Sequence, residues 1–141
     1  LDLNVKSMFI VAQAAARRML AGGRGGAMIH MSSQMGHVGS PNRTVYCATK
    51  HAVEGMSKAI AAELAPENIR SNCIGPTFLE TPMTAPMFEN PEFRQFVMDR
   101  IPMGRLGKIS DVTGSVVFLA SPASELITGA SLTIDGGWTV V

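Results

Sequence analysis

Tyr46 and Lys50 are a pair of residues whose types and spacing could transfer a proton. Four residues apart in a helical segment, they project from one face and can approach the same bound molecule. A cation close to a phenol oxygen favours the phenolate, so Lys50 could prepare Tyr46 to exchange a proton with a carbonyl or alcohol oxygen. The spacing alone is more typical of a solvated surface pair, so the surrounding elements must decide.

The segment before Ser33 predicts a helix that leads into a buried strand. Apolar residues recur at steps of three and four from Leu3 to about Leu20, which predicts an amphipathic helix. The nearly continuous apolar run from Ala27 to Met31 predicts a strand buried on both faces. The glycines at 22–26 lie between them, and this order predicts a helix C-cap rather than a phosphate-binding turn, which would follow a strand.

A second helix carries Tyr46 and Lys50. The apolar pattern predicts it from Val45 to Leu64, closed by Pro66, and a second strand follows from Ile69 to Gly75. Strand, helix and strand in this order predict a parallel pair. Ser33 then lies at the carboxyl end of the first strand, where open α/β sheets bind ligands, and its hydroxyl could donate to an oxygen that gains negative charge.

The rest of the chain predicts an apolar loop, two helices and one strand. The proline-rich loop at 76–90 predicts a lid or a disordered segment. Asn90 and Pro91 predict the start of a helix that Ile101-Pro102 ends, and Ser110 is the predicted cap of a helix through Ala120. Ser131 to Ile134 predicts a last strand, so the fold class is α/β with a parallel sheet.

Composition and charge exclude several classes of function. Within 141 residues the basic side chains are scattered and the net charge is +1, which argues against nucleic acid and anionic membrane surfaces. Without a long apolar run or a leader pattern, we expect a cytoplasmic protein. Cys47 and Cys73 are predicted to be reduced thiols, and the three histidines lack the spacing of a metal site.

Taken together, the motifs resemble the classical short-chain dehydrogenase/reductase family. Ser33, thirteen residues to Tyr46 and four to Lys50 match its catalytic spacing, and Asn4 lies where the fourth member of its Asn-Ser-Tyr-Lys tetrad is expected. Further matches in the right order extend the resemblance over essentially all 141 residues: Ile69–Asn72, Pro76–Pro82, Gly104-Arg105, Phe118–Ser121, Gly129 and Asp135–Trp138.

The resemblance implies a partial Rossmann-like, doubly wound parallel sheet made of the last three strands and their helices. Residues 1–141 would form the C-terminal catalytic part of one domain, with an apolar substrate loop at about 76–103. The implied reaction transfers a hydride between NAD or NADP and a ketone or secondary alcohol, with Tyr46 as general acid and base. The resemblance also implies that Lys50 binds the nicotinamide ribose and that Asn4 holds a water in a proton relay. Besides Tyr46 and Lys50, the implied cofactor contacts are Pro76, Leu79 and Thr81.

Two departures from the family pattern bear on the cofactor. Thr77 follows Pro76 where the family usually has glycine, which reduces backbone freedom beside the nicotinamide. The glycine-rich turn and the residue that selects NAD or NADP belong upstream of Leu1. At roughly 30 residues for each strand–helix–strand unit, we expect about 100 further residues there.

The substrate and the state of the chain leave alternatives open. Gln34, His37 and the loop from Phe78 to Phe96 would surround the reacting carbon, although core packing explains the methionines and phenylalanines equally well. The chain could instead be an inactive folding or oligomerising remnant. The family forms dimers and tetramers through the helices near Asn4 and Tyr46, where alanines permit close contact: Ala14, Ala15, Ala16, Ala59, Ala61 and Ala62. A hydrolase is disfavoured because no Gly-x-Ser-x-Gly turn surrounds Ser33.

Overall fold

The computed structural model describes all residues from Leu1 to Val141 as an α/β structure with a three-stranded parallel sheet. The strands are β1 (Gly26–Met31), β2 (Ile69–Pro76) and β3 (Ser131–Ile134), in the order β1-β2-β3. The helices are α1 (Ser7–Gly22), α2 (Thr44–Leu64), α3 (Pro91–Met98) and α4 (Ile109–Ala120), and a π-helical turn (Asp2–Lys6) precedes α1. None of these helices is both long and apolar enough to cross a membrane.

Helices cover both faces of the sheet, as the doubly wound class predicts. On one face, Ala12 of α1 packs with Met28 and Ile69, and Ile60 and Leu64 of α2 complete this cluster. On the other face, Val112 and Leu119 of α4 pack against Ile74 of β2. A third cluster lies around α3 and holds Val97, Ile101, Leu106 and Trp138. The fold class predicted from the sequence is therefore confirmed.

Strand β1 lies at the edge of this sheet and differs from its prediction. It pairs only with β2, with Gly26 opposite Ile69 and Met31 opposite Ile74. Only Met28 and His30 of this strand are buried, and Met31 is 48% exposed. The prediction that β1 is buried on both faces is wrong for this chain, because one edge of the strand is unpaired and an apolar cleft of about 400 Å³ runs between it and α1.

Helix ends follow local chemistry, with two corrections to the predictions. Gly23 adopts a left-handed conformation with φ 63° and caps α1, which confirms the predicted C-cap. Asn90 Oδ1 accepts hydrogen bonds from the amides of Glu92 and Phe93, which confirms the start of α3. The prediction that Ser110 caps α4 is wrong: the cap position is Lys108, whose amide donates to Asp111 Oδ2 at 2.7 Å. Helix α3 also ends earlier than predicted, at Met98.

The loop after β2 is partly ordered by aromatic packing. Phe78 lies at 5.6–5.9 Å between ring centroids from Phe88, Phe93 and Trp138. These rings pack against the cluster around α3, so the structure favours core packing for the phenylalanines of the loop. Met83 differs, since it is 83% exposed.

Candidate active site

Strand β1 delivers Ser33 to the carboxyl end of the sheet. The Ser32 amide donates to the carbonyl of Ile74 at 2.8 Å, which continues the pairing with β2 past Met31. A Cβ on Gly75 would lie 3.3 Å from the backbone of Ser33, which is tighter than an ordinary van der Waals contact, so the two chain segments approach closely there. This close approach brings Pro76, the last residue of β2, beside the serine.

The Ser33 hydroxyl is buried and already engaged in local hydrogen bonds. Its Oγ donates to Gln34 Oε1 at 2.7 Å and accepts from the Met35 amide at 3.1 Å. The second bond caps a short 3₁₀ helix at Gln34–Gly36. Because the single hydroxyl proton is used by Gln34, a substrate oxygen would have to replace that side chain as the acceptor.

Lys50 lies beneath Tyr46 on the first turns of α2. Its Nζ lies 5.7 Å from the centre of the Tyr46 ring and donates to the carbonyl of Met31 at 2.9 Å. Lys50 is buried, whereas Tyr46 is 37% exposed and open to a bound molecule. An ammonium has three N–H donors, so two remain for a ligand after the bond to Met31.

The charge of Lys50 is balanced between burial and nearby acidic groups. Burial lowers the pKa of its ammonium from the ordinary value, while Cys73 and Glu54 act in the opposite direction. Burial raises the pKa of the Cys73 thiol to about 12, so this thiol is uncharged near neutral pH. Glu54 is therefore the anion that supports the Lys50 cation under those conditions.

Asn4 lies on the π-helical turn and connects to the first turns of α2, which carry Tyr46 and Lys50. Its Nδ2 donates to Thr49 Oγ1 at 3.3 Å, and Thr49 Oγ1 donates to the carbonyl of Tyr46 at 2.7 Å. Single π-turns occur often at functional sites because they redirect a side chain. The structure thus brings Asn4 next to the residue that precedes Lys50.

The predicted cofactor residues after β2 lie on a braced segment. Pro76 pairs with Ile134 of β3, and Leu79 forms a bridge with Gly107. Thr81 and Thr84 bond to each other through their hydroxyls at 3.1 Å. The segment therefore has a defined backbone position beside the carboxyl ends of β1 and β2.

His37 makes a long-range contact with the sheet, and two buried polar residues escaped sequence reasoning. His37 Nε2 contacts Ser131 Oγ of β3 at 2.9 Å, so this ring turns toward the sheet. Thr49 and Glu54 lie on the buried side of α2, at 2% and 5% exposure. The signal that could have found Glu54 is a carboxylate four residues after Lys50 on the apolar face of the helix.

Known proteins resemble the chain in sequence over almost its full length. A family model described as enoyl-(acyl carrier protein) reductase matches residues 1–139. L-xylulose reductase from Bos taurus is 36% identical over 137 residues, which cover 97% of this chain and 56% of that protein. A 3-oxoacyl-[acyl-carrier-protein] reductase from Thermotoga maritima is 41% identical over 140 residues, which cover 99% of this chain and 56% of that protein. The chain thus spans a little over half the length of these relatives.

Solved structures agree with the fold. A gluconate 5-dehydrogenase from Burkholderia cenocepacia, in complex with NADP and tartrate, superposes with a TM-score of 0.93 at 35% identity. The match covers 98% of this chain and 54% of the dehydrogenase chain. A short-chain type dehydrogenase/reductase from Mycobacterium marinum gives a TM-score of 0.92 at 39% identity, and the match covers 99% of this chain and 55% of the other.

Proposed function

The chain belongs to the short-chain dehydrogenase/reductase family, and on that premise we propose that it forms the catalytic part of an NAD(P)-dependent oxidoreductase. The reaction transfers a hydride between the nicotinamide cofactor and a ketone or secondary alcohol. The observation that carries this proposal is that Lys50 reaches both the Tyr46 ring and the carbonyl of Met31, two residues before Ser33 at the carboxyl end of β1. Residues 1–141 then form one part of a single domain, with residues 76–103 beside the substrate.

The donors at this edge of the sheet suit a nicotinamide riboside. The two free N–H groups of Lys50 and the exposed hydroxyl of Tyr46 match the hydroxyls of a ribose. Pro76, Leu79 and the hydroxyl of Thr81 lie on the neighbouring segment, where a carboxamide could bind. When bound, NAD or NADP supplies or accepts the hydride at the substrate carbon.

Tyr46 carries out the proton transfer in this proposal. In reduction its hydroxyl gives a proton to the carbonyl oxygen, and in oxidation its phenolate takes the proton from the alcohol. Lys50 favours the phenolate through its positive charge. Ser33 turns its hydroxyl from Gln34 toward the substrate oxygen and stabilises the negative charge that develops there. Asn4, joined to this turn through Thr49, holds a water that returns protons to Lys50.

The names of the relatives suggest which carbonyl compounds to test. L-xylulose and a β-ketoacyl thioester represent a small polyol ketone and a longer acyl chain. The full-length protein that contains these residues should oxidise NADPH or NADH with at least one of them. With a cofactor deuterated at C4, deuterium should appear on the new carbinol carbon. No cofactor oxidation with a panel of sugar, polyol and acyl ketones would contradict the proposal.

A second candidate is that the isolated chain serves in assembly and not in catalysis. The unpaired edge of β1 and the apolar cleft beside it favour this reading, since such surfaces promote association. For the complete enzyme we propose a homo-oligomer, a dimer or tetramer, that uses α1 and α2. Ala14, Ala59 and Ala62 are exposed there, whereas Ala61 is buried in its own chain and is not available for such a contact.

A further inference from the structure

A row of buried polar side chains lies between α2 and the sheet, below the proton-transfer site. Ser71 Oγ bonds to Ser57 Oγ and to His30 Nε2, each at 3.0 Å. Glu54 lies in the same layer, one helical turn after Lys50, and is only 5% exposed. A carboxylate is costly to bury unless it is paired, so its partners indicate what it does.

Glu54 joins three separate elements through one oxygen atom. Ser131 Oγ of β3 donates to Glu54 Oε1 at 3.0 Å, and His37 Nε2 lies 3.4 Å from the same oxygen. His37 Nε2 also contacts Ser131 Oγ at 2.9 Å. Because the Ser131 proton is used by Glu54, His37 is the donor in that contact. One imidazole nitrogen makes both contacts, which differs from a hydrolytic triad, where the two ring nitrogens have separate partners.

These contacts tie the catalytic serine to the catalytic lysine. His37 follows the 3₁₀ helix that Ser33 caps, and Glu54 and Lys50 are neighbours on the buried side of α2. The short segment from Ser33 to His37 is thereby fixed at both ends. A shift of Glu54 would move the loop beside Ser33 and change the surroundings of Lys50 together.

Glu54 also faces every charged group of this layer. Lys50 lies on the same helix, His30 on β1, Cys73 on β2 and His37 on the loop. Burial works against the charge of Lys50, and Cys73 is neutral near pH 7. The carboxylate is the group that offsets burial for the lysine.

Resting on the proposed function, we propose that Glu54 is a positioning residue for this oxidoreductase: its carboxylate keeps Lys50 charged and fixes the loop that follows Ser33. Glu54 touches neither the substrate nor the cofactor. Its effect reaches the reaction through Lys50, which binds the ribose, and through the position of Ser33.

Glu54→Gln isolates the charge, because the amide oxygen still accepts from Ser131. Without the anion, Lys50 loses its proton at lower pH. The alkaline limit of kcat/KM for carbonyl reduction should therefore move down by about half a unit or more, since nearby charges shift a buried cation by this order. Above this limit the KM for the cofactor should rise at least about threefold. Glu54→Asp keeps the charge and should restore most of the original profile, while Glu63→Gln on the exposed side of α2 serves as the matched control.

The assay uses the full-length protein, NADPH or NADH and the ketone that it reduces, with melting temperature recorded for each variant. A Glu54→Gln variant that melts earlier but keeps the original pH profile and cofactor KM would reduce Glu54 to a structural residue and overturn the proposal. If that variant does not fold, Glu54→Met takes its place, because it also removes the charge at similar side-chain volume: a downward shift of the alkaline limit supports the proposal, and an unchanged limit overturns it. Tyr46→Phe is assayed in parallel. If Tyr46→Phe keeps its activity, the proposed function itself is refuted. If Tyr46→Phe loses its activity while Glu54→Gln keeps the original pH profile, only the proposed role of Glu54 is refuted.

Discussion

Replacing Lys50 with methionine removes the cation that lies 5.7 Å from the Tyr46 ring. Lys50 is the cation that faces the Tyr46 ring, and a cation favours the phenolate that takes the proton from the alcohol. Lys50→Met should therefore move the acid limb of alcohol oxidation to higher pH.

The same substitution should weaken cofactor binding. Two N–H donors of Lys50 are assigned to the ribose, and hydrogen bonds to charged groups contribute about 1.5–3 kcal/mol each, so the loss is at least about tenfold in affinity. Folding should survive, because the change removes a buried charge and leaves only the Met31 carbonyl without its donor.

Two measurements on the full-length protein check this prediction. They are the pH dependence of oxidation and a fluorescence titration with the reduced cofactor, each compared with Lys58→Met on the exposed side of the same helix. An unchanged pH profile together with an unchanged cofactor affinity would remove Lys50 from the mechanism.

Three further predictions concern the chain, its acid stability and its aromatic cluster. Residues 1–141 alone should self-associate through the apolar cleft beside β1. They should bind NADH or NADPH only weakly, because they contact one end of the cofactor, and saturable binding in the low micromolar range in a cofactor titration would refute this. Burial lowers the pKa of His30 in the folded chain, and Glu54 opposes this effect only in part. As the pH drops below 6.5, His30 therefore binds a proton more readily in the unfolded chain than in the folded one, and the free energy of unfolding should fall. His30→Gln should flatten that fall in thermal melts at pH 7.5 and 5.5, and equal slopes for His30→Gln and His51→Gln would contradict it. Phe78→Ala should cost about 3 kcal/mol in denaturant unfolding, against no change for Met83→Ala; equal effects would show that the cluster carries no stability.

Periodicity and caps predicted the elements that depend on local sequence. The helix at 45–64 and the cap at Asn90 could be predicted, because the sequence signals for each lie within a few residues of one another. The start of α4 could not be predicted in this way, because the cap position is Lys108, which is not a typical cap residue, and the side chain of Asp111 binds its amide. The π-helical turn at Asp2–Lys6 could not be predicted either, because over a single turn the apolar pattern of a π-helix barely differs from that of an α-helix.

The sequence could nominate the residues of the candidate site but not their contacts. Spacing nominated Ser33, Tyr46 and Lys50, whereas the bond from Lys50 to the Met31 carbonyl depends on how α2 crosses β1. The contact between the His37 ring and Ser131, 94 residues away, was not predicted either. Long-range partners of this kind carry no local signal in the sequence.

The most direct test of the central claim is steady-state carbonyl reduction by Tyr46→Phe in the full-length protein. The substitution removes one hydroxyl from a half-exposed ring and little contact area, so the fold and cofactor affinity should stay nearly unchanged. Loss of the general acid should lower kcat by at least about a hundredfold. Activity above about a tenth of the original, in a variant that binds cofactor normally, would contradict proton transfer by Tyr46.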